Sequence, residues 1–150
     1  MRVVVQRVSQ ASVAVANVVI SEIAEGVLIL LGIEASDTKE DILWLTNKIS
    51  NLRIFEDEAG VMNLSLKDIK GEALVVSQFT LHAATKKGNR PSYIKAARPE
   101  FAAPMYEQFV SQMSEVLGTA VQTGQFGAMM DVSLINNGPV TLLIDTKNKE

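Results

Sequence analysis

Glu72-Ala73-Leu74-Val75-Val76-Ser77-Gln78-Phe79-Thr80-Leu81 reads as one strand that starts in a core and ends in polar and aromatic residues. Ala-Leu-Val-Val behind Gly71 suits a buried strand, and the Ser, Gln, Phe and Thr that follow suit the wall of a pocket. With side chains alternating, Gln78, Thr80 and His82 share one face.

The rest of the chain is placed around this strand. Upstream, Met1 to Val8 is rich in Val and reads as a strand, Ser12 to Ile20 as a second that bends near Asn17, and Gly26 to Ile33 as a buried third. Asp37 followed by Glu40 suits a helix start, and Ile42, Leu45, Ile49 and Leu52 recur on one helical face, so a helix is expected to about Leu52. A turn follows at Asp57 to Gly60. Downstream, Ala83 to Ala97, with Gly88 and Pro91, reads as loop. Pro99 fits the first turn of a second helix, whose Phe101, Met105, Phe109, Met113 and Val116 form a core-packing stripe ending at Gly118. Thr119 to Gln125, Met130 to Ile135 and Val140 to Asp145 complete the strands, the last two joined by Asn136-Asn137-Gly138-Pro139. The order β-β-β-α-β-α-β-β-β predicts one α+β domain over residues 1–150, with a mixed or antiparallel sheet and two main helices.

Composition narrows the chemistry. The chain has 150 residues, 47% hydrophobic and 21% charged, enough for one real core. It has no cysteine, which excludes disulfides, thiolate metal sites and thiol nucleophiles. One histidine and scattered carboxylates argue against a metal site, and no cofactor is expected. The apolar run Gly26 to Ile33 is too short to span a bilayer, and Met1 to Val8, carrying Arg2 and Arg7, lacks a signal-peptide layout, so a cytoplasmic protein is expected. The formal net charge is −3, yet Ala73 to Pro99 holds Lys86, Lys87, Arg90, Lys95 and Arg98 and no Asp or Glu. A cationic stripe beside a pocket suits a polyanionic substrate, with Lys86, Lys87 and Arg90 as phosphate contacts. The plainer reading is a solvated loop.

Two segments carry chemical promise. A Thr80 hydroxyl near His82 is a conceivable nucleophile with its base, but no third group is legible to orient the imidazole. Asn136-Asn137-Gly138-Pro139-Val140-Thr141 reads either as a plain hairpin turn or as a rigid backbone probe. A Gly-Pro bond can be cis, and glycine offers no side chain to obstruct a ligand. Trp44, Tyr93 and Tyr106 read as packing residues.

Taken together, Ser77-Gln78-Phe79-Thr80-Leu81, Gly88-Asn89-Arg90-Pro91-Ser92 and Asn136-Asn137-Gly138-Pro139-Val140-Thr141 resemble the signature runs of the D-aminoacyl-tRNA deacylases, also called D-tyrosyl-tRNA deacylases. Gln6-Arg7-Val8 is similar too, and the likeness covers essentially the whole chain; Tyr93 stands where Phe is more usual. The resemblance implies a homodimer with its active sites at the interface. Ser77, Gln78 and Phe79 would bind substrate, Phe79 and Thr80 would serve catalysis, and Gly138-Pro139 of the second subunit, in the cis form, would reject L-amino acids. The substrate would be the aminoacyl-tRNA 3′ end: a D-amino acid ester, or glycine mischarged on tRNA(Ala). Hydrolysis would be helped by the ribose 2′-hydroxyl and backbone oxyanion donors. Two rivals stay open, a non-catalytic nucleic-acid-binding dimer and a peptide-like hydrolase using Thr80.

Overall fold

The computed structural model describes residues 1–150. In chain order the elements are β1 (Arg2–Val15), β2 (Val18–Ile23), β3 (Gly26–Gly32), α1 (Lys39–Asn51), β4 (Phe55–Glu56), β5 (Met62–Leu64), β6 (Glu72–Ser77), a 3-10 turn (Phe79–His82), α2 (Pro99–Leu117), β7 (Gln122–Thr123) and β8 (Asp131–Asp145). β1 organises them. Along one edge it pairs antiparallel with β3 and then, further on, with β2. Along its other edge it pairs with β8 from Arg2↔Asp145 to Ala14↔Asp131. β3 runs parallel to β6, and β6 to β7, so the sheet is mixed. Parallel neighbours need long crossovers. Here α1 with the β4–β5 hairpin makes one, and α2 makes the other.

Alternation along the strands builds a core on each face. Val27, Ile29 and Leu31 of β3 join Val3 and Val5 of β1, Val75 of β6, Ile42, Leu45 and Ile49 of α1, and Met105, Phe109 and Met113 of α2. On the opposite face Leu28, Leu74 and Val76 pack with Val8, Ala11, Val13 and Ile23. β1 changes face along its length: odd positions Val3 and Val5 enter the helix-side core, whereas odd positions Ala11 and Val13 enter the other, together with Val8. The register break between Val8 and Gln10, which leaves Ser9 unpaired against β8, makes this switch, since an extra residue in a ladder shifts the side-chain period. At Gly26 β3 and β6 leave no room for a side chain; a Cβ there would lie 1.9 Å from the Glu72 carbonyl oxygen.

The single α+β domain with a mixed sheet and two main helices agrees with the sequence reading, but several elements differ. The first predicted strand and the second as far as Val15 are one, β1; the chain then reverses at Ala16-Asn17, both at positive φ, and Val18 to Ile20 belong to β2. Thr38, not Asp37, caps α1, in a capping box with Asp41; Asp37 instead accepts from the Met1 amino group and from Glu34 N–H at 2.8 Å. Phe101 is exposed, and Tyr106 takes the core position beside Met105. The strand expected over Thr119 to Gln125 shrinks to Gln122–Thr123.

The two strands expected on either side of Asn136 to Pro139 do not pair with each other. They form one strand, β8, whose partner throughout is β1. Turn-forming composition does not distinguish a reversal from a bulge. The deciding factor is β1, long enough to template both halves of β8 at once.

Candidate active site

β6 ends earlier than the sequence suggests. It stops at Ser77, and Gln78 leaves the extended region with φ −144° and ψ 78° before the 3-10 turn Phe79–His82. The Gln78 N–H still donates to the Leu31 carbonyl at 2.7 Å, tying the exit of β6 to β3. From α2, the Tyr106 hydroxyl donates to the Val75 carbonyl at 2.7 Å, and burial pushes this phenol up to about 12. The strand end is therefore clamped from both sides.

The turn separates side chains that a strand would have aligned. His82 is buried, with its ring beside Gly32, and its two nitrogens make no hydrogen bond within the chain. Thr80 is half-buried, and its hydroxyl accepts from the Gln78 Nε2–H. The Thr80–His82 pair is thus not assembled. The amides of Phe79 and Thr80 precede the turn's first carbonyl-to-amide bond, which Leu81 N–H makes to the Gln78 carbonyl at 3.3 Å, so they stand at the donor end of the turn.

Beside this turn lies a cavity of about 690 Å³. Ser77, Gln78 and Phe79 line it; Thr80, Lys86, Lys87 and Arg90 do not. Its other walls come from Leu31 and Ile33 at the end of β3, the start of α2, and the Phe126–Met130 segment before β8. Phe79 and Tyr93 meet edge to face at its mouth, their centroids 5.1 Å apart. Lys86, Lys87 and Arg90 lie exposed on the loop beyond, which is closed by an Ala84↔Ser92 bridge.

Gly138-Pro139 is elsewhere. The peptide is cis, and it sits in a bulge of β8 where the pairing steps from Val8↔Asn136 to Gln6↔Thr141, leaving four residues of β8 opposite Arg7 alone. Arg7 holds this bulge: its Nε donates to the Asn137 carbonyl at 3.0 Å and its Nη1 to the Ile54 carbonyl at 2.7 Å, with only 7% of the residue exposed. Asn136 closes the base, accepting from Val140 N–H at 3.1 Å and donating to the Thr141 hydroxyl at 2.8 Å. Followed through the register, Ser77 pairs with Leu31, Leu31 with Val3 and Val3 with Ile144, so the bulge lies three strands over and four residues along. At ~4.8 Å per strand and ~3.3 Å per residue this is roughly 20 Å along the sheet. One copy of the chain does not bring the Gly-Pro bulge to its own cavity.

Residues 4–145 match the family described as D-Tyr-tRNA(Tyr) deacylase. The chain belongs to the D-aminoacyl-tRNA deacylase family. Curated deacylases of Flavobacterium psychrophilum, Porphyromonas gingivalis and Bacteroides thetaiotaomicron are 66%, 65% and 62% identical to it, each alignment covering all of both chains. Among solved structures, a c-Myc DNA unwinding element binding protein superposes with TM-score 0.91 at 41% identity, covering 97% of this chain and 99% of that one. A probable eukaryotic D-amino acid tRNA deacylase shares the fold with TM-score 0.83 at 18% identity, covering 95% and 97%. This deacylase family member is a hydrolase by kinship. No helix in it is long and apolar enough to cross a membrane.

Sequence reasoning missed four contributors to these two sites. In the sequence Arg98 is legible only as part of the cationic stripe, and Tyr93 only as packing. Phe126 to Met129 lie between two expected strands, and Met130 begins the second of them. Arg7 carries one legible signal, a cation inside a Val-rich strand, where a buried charge survives only if polar groups satisfy it.

Proposed function

We propose that this protein hydrolyses the ester joining a D-amino acid, or glycine, to the 3′ end of tRNA, and that it works in the cytoplasm as a homodimer with each site shared between two copies. The observation that carries this reading is the separation of the two motifs: the Ser77–Phe79 cavity and the Gly138-Pro139 bulge are both preformed but roughly 20 Å apart along the sheet. A second copy joins them. Two further features favour dimerisation. β8 has β1 as its only neighbour, leaving a 15-residue edge open. The cavity mouth also exposes apolar side chains, Met129 at 90% and Phe79 at 56%.

In this reading Ser77, Gln78 and Phe79 seat the aminoacyl end, and the Gly138-Pro139 backbone of the other copy stands against the substrate Cα. An L side chain collides with it; a D side chain or a hydrogen does not. Selection by exclusion is the only route open to an enzyme that accepts many side chains, and it admits glycine, including glycine mischarged on tRNA(Ala). Water adds to the ester carbonyl as it gives a proton to the ribose 2′-oxygen, the amides of Phe79 and Thr80 receive the oxyanion, and collapse expels the ribose 3′-oxygen, which takes the 2′-hydroxyl's own proton, so that both ribose hydroxyls end protonated. The products are free tRNA and the free amino acid. Thr80 lines the turn without acting as nucleophile, and Lys86, Lys87 and Arg90 meet tRNA phosphates.

The test is deacylation of matched D- and L-aminoacyl-tRNA and glycyl-tRNA by purified protein. Fast loss of the D and glycyl esters with the L ester spared is expected; no acceleration of any would overturn the reading. A second reading, a non-catalytic nucleic-acid-binding dimer, is favoured by one observation, the structural relative described as a DNA unwinding element binding protein. It requires tight binding of uncharged nucleic acid without turnover.

A further inference from the structure

We propose that Arg98 binds the phosphate on the 5′ side of the terminal nucleoside of the substrate, and so sets how deeply the aminoacyl ester enters the cavity. The proposal rests on the deacylase reading above. Of the five arginines, three are committed to the fold: Arg2 to Asp145 and the Leu81 carbonyl, Arg7 to the Asn137 and Ile54 carbonyls, Arg53 to Asn63. Arg90 and Arg98 have no partner within the chain, and of these two only Arg98 lines the cavity. It is the one charged residue among the 18 that do, and 13 of the others are hydrophobic.

An apolar cleft with a single cation at its edge has the chemistry of a nucleoside monophosphate unit: a flat, weakly polar base and sugar with one anion attached. The ester carboxyl is uncharged and the amino acid's free amine is cationic, so neither attracts a guanidinium. A phosphate does, and the planar fork can engage two of its oxygens. The anchor is also well placed. The Ala97 N–H donates to the Ile33 carbonyl at 2.9 Å and Pro99 begins α2, so the backbone on both sides of Arg98 is fixed to the cavity wall. Lys86, Lys87 and Arg90 lie outside the cavity and are left to phosphates further along the strand.

The experiment compares D-phenylalanine esterified to the 3′ position of adenosine with the same ester of adenosine 5′-monophosphate. The wild type should favour the phosphorylated ester by about 10- to 100-fold in kcat/KM, as expected for hydrogen bonds to a charged group. Arg98→Ala and Arg98→Gln should lose most of that preference, chiefly through KM, and stay within about threefold of wild type on the unphosphorylated ester. On full-length D-aminoacyl-tRNA, Arg98→Ala should flatten the slope of log kcat/KM against log salt by about 0.7, one phosphate's share. A wild type indifferent to the phosphate, a variant that keeps the preference, an unchanged salt slope, or an equal loss of rate on both esters would overturn the assignment. If the wild type leaves these esters and D-aminoacyl-tRNA all uncleaved, the deacylase reading falls with it. Cleavage of D-aminoacyl-tRNA with the phosphate arms failing removes only the role of Arg98.

Discussion

Thr80 carries a hydroxyl with no base to activate it. The group that touches it is the Gln78 amide, a donor, and the only imidazole of the chain is buried beside Gly32. Thr80→Ala is therefore expected to retain D-aminoacyl-tRNA deacylation within about tenfold; a covalent nucleophile would show a loss of several orders of magnitude in single-turnover rate. Arg7 and Gly138 form the second pair that matters at this scale. Gly138 has φ +128°, and a Cβ there would lie 2.8 Å from Arg7 Nη2 and 3.0 Å from the Val140 side chain. Arg7→Ala leaves two carbonyls without donors, at about 1–3 kcal/mol each where they are buried. Both Arg7→Ala and Gly138→Ala should narrow the ratio of D to L deacylation, and Arg7→Ala should also lower Tm. Unchanged ratios in both would remove the bulge from chiral selection.

At the scale of elements, the start of α1 is tied to the end of the chain. Lys147 Nζ lies 2.7 Å from Asp41 and 3.7 Å from Asp37. Burial pushes the Asp41 carboxyl up, but hydrogen bonds from Lys147 and the Thr38 amide outweigh it and hold the group well below the usual carboxylate range. The hydrogen bond to Asp41 raises Lys147 in turn. The sign follows for each: Asp41 stabilises the fold fully above its unfolded pKa near 3.8 and loses this as pH falls through its lower folded value, while Lys147 stabilises below about 10.5 and loses this as pH rises through its higher one. Lys147→Ala should lower Tm across the neutral range, with the gap from wild type closing below pH ~4 and above pH ~10.5. A gap that stays constant with pH would mean that the lysine acts by packing alone.

The same scale explains what the sequence made legible. α2 was readable at both ends because Pro99 and Gly118 do local work, the latter at φ 71°. The β8 bulge was not, because Asn136 to Pro139 has the composition of a reversal and only the length of β1 tells otherwise. The end of β6 was misread for a related reason. Nothing in Gln78-Phe79-Thr80 forbids extension, and the turn is imposed by the clamp from Leu31 and the packing of His82 beneath Gly32. The cavity residues Ser77, Gln78 and Phe79 were legible as a run; the walls from α2 and Phe126–Met130 come from distant sequence and were not.

For the whole molecule, the proposal that two copies share each site has a test that activity alone lacks. Gly138→Ala should give a homodimer that cleaves D esters and leaks toward L esters. Ser77→Trp, whose indole obstructs the floor of the cavity where the aminoacyl end sits, should give one that cleaves neither. In a mixed dimer isolated through two different tags, the open cavity belongs to the Gly138→Ala copy, and the loop facing it across the interface belongs to the Ser77→Trp copy and is intact. That dimer should cleave D esters at about half the wild-type rate per dimer, one of its two symmetric sites being lost, and should again spare L esters. If each cavity were instead read by the loop of its own chain, the mixed dimer would leak as the Gly138→Ala homodimer does. Restored rejection of L esters is the outcome that a roughly 20 Å separation along the sheet within one copy demands.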